Sequence, residues 1–270
     1  MRTALLCFTL VAGCAGVRDA LPPPVASRSE MPAAVQAYPE QSAADIIRRA
    51  HAAAGGEVWV HPDSLKLTGY NLIRAKDGDV LWNPYSMWRI YADEKTDSHA
   101  AGGKVRIEAW TGGKLAFLLA FDGVQTSNQD GVMTDQSANA TWGENFGYGA
   151  IRNALDEGWS QVRLPDDLVD GAPAFMVELT DPSGGVTRFG IRQSDDAVVY
   201  VGFDTPRGWH ERRYSNFFTK PGISWVQPGR VRLFYDGVKS NEAIWTDFQV
   251  GEKFDDSLFT ITEAPAALTP

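Results

Sequence analysis

The chain has 270 residues, a formal charge of -9 and 44% hydrophobic residues, a balance that suits a packed globular domain. The acidic balance leaves no basic footprint for nucleic acid and gives no electrostatic attraction to anionic lipid. Only two cysteines occur, Cys7 and Cys14, both near the amino terminus, so disulfides, thiolate metal sites and a cysteine nucleophile are not expected in a processed protein.

Arg2 starts the chain with a positive charge, and Ala4 to Val11 form an apolar run far too short to span a bilayer. Small residues follow at once in Val11-Ala12-Gly13-Cys14, which completes a secretory signal peptide over residues 1–13. With the cysteine directly after the small residues, the segment resembles the lipobox of bacterial lipoproteins. The competing reading, an ordinary signal peptide that contains a cysteine, is disfavoured because the segment fits the lipobox at every position. The resemblance implies lipidation of Cys14 and attachment to a membrane through acyl chains. Two or three chains make such an anchor stable, whereas one gives marginal binding. Neither Ala15 nor Gly16 is acidic. By the family's sorting logic that favours the outer membrane, facing the periplasm, with the inner membrane as the alternative.

Residues 14–40 hold Leu21-Pro22-Pro23-Pro24-Val25 within an Ala-, Ser- and Val-rich stretch, which reads as an extended lipidated tether. Ser42 with Asp45 resembles a capping box, and Ile46, Ile47, Ala50, Ala53 and Ala54 recur at helical spacing until Gly55-Gly56. Glu57-Val58-Trp59 is expected to be an aromatic strand. From Leu65 the pattern turns to period two and continues to Arg74. Val80-Leu81-Trp82 and Trp88 to Tyr91 read as two further short strands. Val105, Ile107 and Ala109 share one face, with Arg106, Glu108 and Trp110 on the other, and Thr111-Gly112-Gly113 turns the chain into a hairpin with Lys114 to Phe121.

Tyr148, Ile151, Leu155 and Trp159 follow helical spacing, so one helix is expected within 143–170. Strand candidates then run from Phe175 to Thr180, Val186 to Gln193, Val198 to Phe203, Glu211 to Phe218, Arg230 to Tyr235 and Ala243 to Val250. Turn chemistry such as Asp181-Pro182-Ser183-Gly184-Gly185 and Asp236-Gly237 separates them. Many strands with short turns indicate a mainly β protein of the α+β kind, built on one antiparallel sheet. One domain is expected over 41–262, followed by a short tail at 263–270.

Several segments in this order resemble the lipoprotein-localisation (LolA/LolB-like) superfamily. They are the helix ending in Ala54-Gly55-Gly56, the pair Phe121-Asp122-Gly123 with a helical insertion, the run Asp170-Gly171-Ala172-Pro173-Ala174-Phe175, and the closing Thr246-Asp247-Phe248 and Asp255-Asp256-Ser257-Leu258-Phe259. The resemblance covers roughly residues 42 to 262. It implies a single curved antiparallel sheet forming an unclosed barrel, with helices covering the concave face. It also implies a cavity that takes lipid, lipoprotein acyl chains or another hydrophobic ligand. No residue matches the arginine that marks the soluble carriers of that superfamily, and a soluble carrier has no lipid anchor. A broader lipid or hydrophobic-ligand role is therefore expected. The alternative is an envelope sensor or assembly module on the same fold.

Catalytic chemistry is not expected. His51, His61, His99 and His210 show no metal-ligand spacing, and no G-x-S-x-G elbow occurs. Ser98-His99 are neighbours, Asp77-Gly78-Asp79 lacks the rest of a calcium loop, and Gly102-Gly103-Lys104 lacks the rest of a phosphate loop. Asp195-Asp196 and Asp255-Asp256 read as exposed turn residues. No metal or other cofactor is implied, and no motif names a protein partner. The aromatic residues remain: Trp59, Trp82, Trp110 and Trp225, with Leu119 and Phe121, are the candidate lining of a ligand cavity, set against plain core packing.

Overall fold

The computed structural model describes residues 41–91, 103–136, 139 and 147–261. The signal segment, Cys14, the tether, Ser98-His99 and the tail at 263–270 lie outside them.

Helix α1 (Ala43–Ala54) starts where the capping pattern places it. The Ser42 hydroxyl accepts from the Asp45 backbone N–H at 3.1 Å and donates to the Asp45 carboxylate at 2.7 Å. Ile46, Ile47 and Ala50 are fully buried on one face. The expected strand at Glu57-Val58-Trp59 is instead a helical turn, α2 (Glu57–Val60). Gly56 adopts φ 66 and its carbonyl accepts from Trp59 and Val60, both at 3.0 Å, so the chain coils and Trp59 folds inward.

Thirteen strands follow: β1 (Ser64–Ala75), β2 (Gly78–Ile90), β3 (Lys104–Thr111), β4 (Lys114–Phe121), β5 (Thr126–Asn128), β6 (Gly131–Val132), β7 (Ser160–Val169), β8 (Ala172–Thr180), β9 (Val186–Arg192), β10 (Val198–Thr205), β11 (Gly208–Lys220), β12 (Ile223–Tyr235) and β13 (Val238–Val250). They form one antiparallel sheet in the order β6-β5-β4-β3-β2-β1-β13-β12-β11-β10-β9-β8-β7. The sheet does not close, because β6 and β7 stand at opposite edges. It consists of two up-and-down meanders, β1–β6 and β7–β13, joined along a β1–β13 seam that runs from Leu65↔Val250 to Ile73↔Asn241.

All six strand candidates after residue 170 are present, most of them longer than expected. The Gly112-Gly113 hairpin forms with φ 55 and 76, the left-handed pair that a two-residue turn between twisted strands requires. One further expectation fails. Val80-Leu81-Trp82 and Trp88 to Tyr91 belong chiefly to one strand, β2, which passes through Pro84. The proline is tolerated because the register shifts there: Tyr85 faces Gly69 and Trp82 faces Asn71, so Asn83 and Pro84 occupy a bulge. The helix expected within 143–170 is present among the described residues as a 3₁₀ helix (Gly147–Asn153), followed by a turn and then by β7. The apolar spacing of Ile151 and Trp159 fits a compact turn as well as a helix. β7 carries Pro165 and two aspartates, a poor strand signature that an edge position accommodates.

One face of the sheet bears α1, α2 and the 3₁₀ helix Gly147–Asn153. α1 packs on β7 and β12, α2 on β12, and the 3₁₀ helix on β9 and β10. Phe175, Phe189, Val201, Trp225 and Phe248 join the α1 residues in a single core on that side. The outer face of β3–β4 is covered by the C-terminal segment. Leu118 and Ala120 pack with Ile261, while Arg106 donates to the Leu258 carbonyl at 2.7 Å and Lys104 pairs with Asp256 at 2.6 Å.

Candidate hydrophobic site

Register and period two decide which side chains share the helix side with Leu65 and Leu67. Leu67 faces Met87, Met87 faces Ile107 and Ile107 faces Leu119. In the parallel row Leu65 faces Arg89, Arg89 faces Val105 and Val105 faces Phe121. Val105 is fully buried beneath this patch, and Met87, Ile107, Leu119 and Phe121 pack on it while remaining partly exposed. Aromatic rings extend the patch toward the seam. Trp82 stacks on Phe117 with centroids 5.5 Å apart and lies 6.4 Å from Tyr85, which stacks on Trp245 at 5.1 Å. The main packing of the described helical elements lies on the other meander, so this apolar surface is not roofed by them.

Buried cations mark the boundary between the two meanders. Arg152 donates from Nε to the Trp59 carbonyl at 2.7 Å, and its guanidinium lies 4.5 Å from the Trp59 ring and 5.2 Å from the Tyr91 ring. Arg89, only 3% exposed, approaches the other side of the network 4.5 Å from Tyr91. Burial, aided by the like charges of Arg152 and Arg212, pulls Arg89 down to about 10, so it stays cationic at neutral pH. Ring faces supply part of what water would otherwise give these guanidinium groups. Burial raises Tyr85 to about 12, keeping its phenol neutral.

The three described histidines are engaged structurally. His51 Nε2 donates to the Ile151 carbonyl at 2.7 Å, His61 Nδ1 contacts Glu57 at 2.7 Å, and His210 Nε2 accepts from Arg212 Nε at 3.0 Å. Asp195 pairs with Arg192, Asp196 with Arg49, and Asp255 caps a second 3₁₀ helix (Asp256–Phe259) by accepting from the Ser257 N–H. Among the described residues no group of three or more His, Cys, Asp or Glu side chains could hold a metal ion. The arrangement offers an apolar surface beside buried cations, which is chemistry for holding an amphiphile.

Of the residues singled out in the sequence, Trp82, Leu119 and Phe121 come together on this open patch. Trp59 and Trp225 are instead packed in the core, 1% and 2% exposed, with the Trp225 indole N–H donating to Gln227 at 3.0 Å. They fill the helix side of the sheet because α1 and the 3₁₀ helix close over them. Trp110 falls on the outer face, since alternation gives the helix side to Ala109, and it pairs there with Leu115. Tyr85, Met87, Ile107 and Phe117 join the patch from outside the residues singled out in the sequence. Reading β2 as two strands hid the first two, although Ile107 and Phe117 already lay on predicted strands.

No family model and no curated protein matches the chain. Solved structures do resemble it. A LolA superfamily protein from Nitrosomonas europaea has 16% identity and a TM-score of 0.49, covering 82% of this chain and 98% of that one. A domain described as an outer membrane lipoprotein-sorting protein, from Vibrio parahaemolyticus, has 12% identity and a TM-score of 0.46, covering 80% and 94%. A DUF1329 family protein from Desulfovibrio piger has 9% identity and a TM-score of 0.47, covering 81% and 97%. At these scores the fold rests on the strand order of the chain itself.

Proposed function

We propose that this chain is a non-enzymatic lipoprotein, anchored through Cys14 in the outer membrane and facing the periplasm. It holds lipid, lipoprotein acyl chains or another hydrophobic molecule against the helix side of β2–β4, in lipoprotein or lipid trafficking. The observation that carries the reading is the asymmetry of the sheet: among the described residues, helices fill one meander and leave the apolar rows of the other partly exposed. Covering apolar area is worth about 25 cal/mol per Å², so an acyl chain laid along Met87, Ile107, Leu119 and Phe121 gains affinity without any catalytic group. Arg89, Arg152 and Arg212 at the boundary favour an acidic head on such a chain.

The test is binding of the fluorescent fatty acid cis-parinaric acid. Leu119→Asp places a carboxylate in the patch and is expected to weaken binding by about tenfold or more while circular dichroism stays native. Binding should recover as pH falls, because the apolar surroundings raise the new carboxyl's pKa and protonation removes the charge. Lys66→Asp, on the outer face, should leave binding unchanged. Equal binding by wild type and Leu119→Asp would overturn the site. For the anchor, Cys14→Ser should abolish palmitate labelling and move the protein out of the membrane fraction, and labelling of that variant would remove the lipoprotein reading.

A further inference from the structure

The outer face of the C-terminal meander carries a second concave feature, remote from the apolar patch and independent of it. Strand β7 pairs Leu164 with Met176 and Asp167 with Ala174, so Pro165 and Asp166 together oppose the single residue Phe175. This is a bulge on an edge strand, where a proline costs no ladder hydrogen bond. The bulge, with Met176, Arg188, Tyr200 and Trp209, lines an open cavity of about 470 Å³, within the size range of small-molecule sites.

The floor is built from glycine and aromatic residues. A Cβ at Gly202 would overlap both the Tyr200 phenol and the Trp209 indole, so both rings lie over bare backbone there. At Gly190 a Cβ would press within 3.0 Å of Tyr200 Cβ and 3.2 Å of the Met176 sulfur. Trp209 is held at two points: its backbone N–H donates to Asp236 at 2.9 Å, and its indole N–H donates to Glu211 at 3.2 Å. Polar groups stand around these rings. Arg188 lies 5.5 Å from the Trp209 ring centroid, steadied by Glu178 at 2.8 Å. Asp166, 7% exposed, accepts from Gln193 at 3.0 Å and pairs with Arg163. Burial raises the Tyr200 phenol above its ordinary value.

We infer that this cavity binds a sugar ring bearing an N-acetyl group. A pyranose has a C–H face that stacks on an indole, here that of the partly exposed Trp209, and hydroxyls that reach carboxylates and a guanidinium in pairs. The apolar wall of Leu164, Pro165 and Met176 takes the acetyl methyl, and Arg188 donates to the acetyl carbonyl. A wholly apolar ligand would dehydrate the half-exposed Arg188 and the partly exposed Asp167 without replacing their hydrogen bonds to water. An anionic ligand would meet two aspartates.

The test is saturation-transfer NMR on the purified chain, with the trisaccharide of N-acetylglucosamine as probe and maltotriose as the non-acetylated control. Saturable transfer to ring and acetyl protons is expected, with maltotriose at least about fivefold weaker. Trp209→Ala should weaken binding by about tenfold and Arg188→Ala by about threefold, each with native circular dichroism and unchanged cis-parinaric acid binding. Should Trp209→Ala not fold, the half-exposed Arg188→Ala decides. Absence of transfer at millimolar trisaccharide, or equal transfer in wild type and Arg188→Ala, would overturn the site. Equal affinity for maltotriose would overturn the N-acetyl assignment.

Discussion

In the C-terminal meander, Phe175, Val177, Phe189 and Val201 lie under α1 and the 3₁₀ helix, each at most 2% exposed. In the N-terminal meander, the equivalent rows on the same side of the sheet leave Met87, Ile107, Leu119 and Phe121 half-buried around Val105. Both halves obey the same period-two pattern, so the pattern is not the source of the difference. What differs is the supply of helices. One amphipathic helix of 12 residues, α1, is about 18 Å long at 1.5 Å per residue, and strands lie about 4.8 Å apart, so it roofs only part of a 13-stranded sheet. A β-sheet with more apolar face than the described helices cover is stable where they roof it and able to bind where they do not.

The largest expected effect breaks the roofed half. Phe189→Ala should cost about 3–5 kcal/mol in urea denaturation, because the cavity cannot collapse under α1. Phe121→Ala in the open half should cost only about 1–2 kcal/mol, since part of that side chain already faces water. Similar losses for both would mean that the two meanders are equally packed.

A pH titration sharpens the contrast. His210 is fully buried in the roofed half between Phe203 and Tyr235, with ring centroids at 5.1 and 4.5 Å. Burial first, then the charges of Arg212 and Arg207, push it down to about 2 from 6.5. The unfolded chain therefore binds the extra proton, and stability falls as pH drops below 6.5, by about 1.4 kcal/mol per pH unit from this group. His210→Gln should lose that share of the slope between pH 6 and 4, measured as the difference in urea midpoints. An unchanged slope would place the imidazole in contact with water.

The seam gives a smaller effect. Gly69 faces Trp245, and a Cβ there would run into the Ile244 carbonyl. Gly69→Ala should cost about 1–3 kcal/mol by forcing β1 and β13 apart. If the meanders unfold as one unit, hydrogen exchange will quicken in both, and if β1–β6 alone exchanges faster, the seam is a boundary between two cooperative units.

Much of this architecture is legible in local chemistry. Ser42 and Asp45 announce the start of α1, Gly112-Gly113 dictates a tight hairpin, and alternation in 105–110 assigns Trp110 to the face away from Ala109. The apolar character of Leu119 and Phe121 is equally plain, because side chains two apart on a strand must share a face. Sequence alone could not show that Trp59 coils into a helical turn, since Gly56 permits either course and packing under α1 selects one. It could not show that Pro84 lies within a strand, because the bulge that excuses it is defined by residues of β1. Nor could it separate Trp225 in the packed core from Trp82 on the open patch: both sit on strands, and only the helices that close over one and not the other distinguish them. Side-chain alternation is a property of each strand, whereas which face ends up covered depends on where α1 docks, a long-range contact that no local pattern encodes.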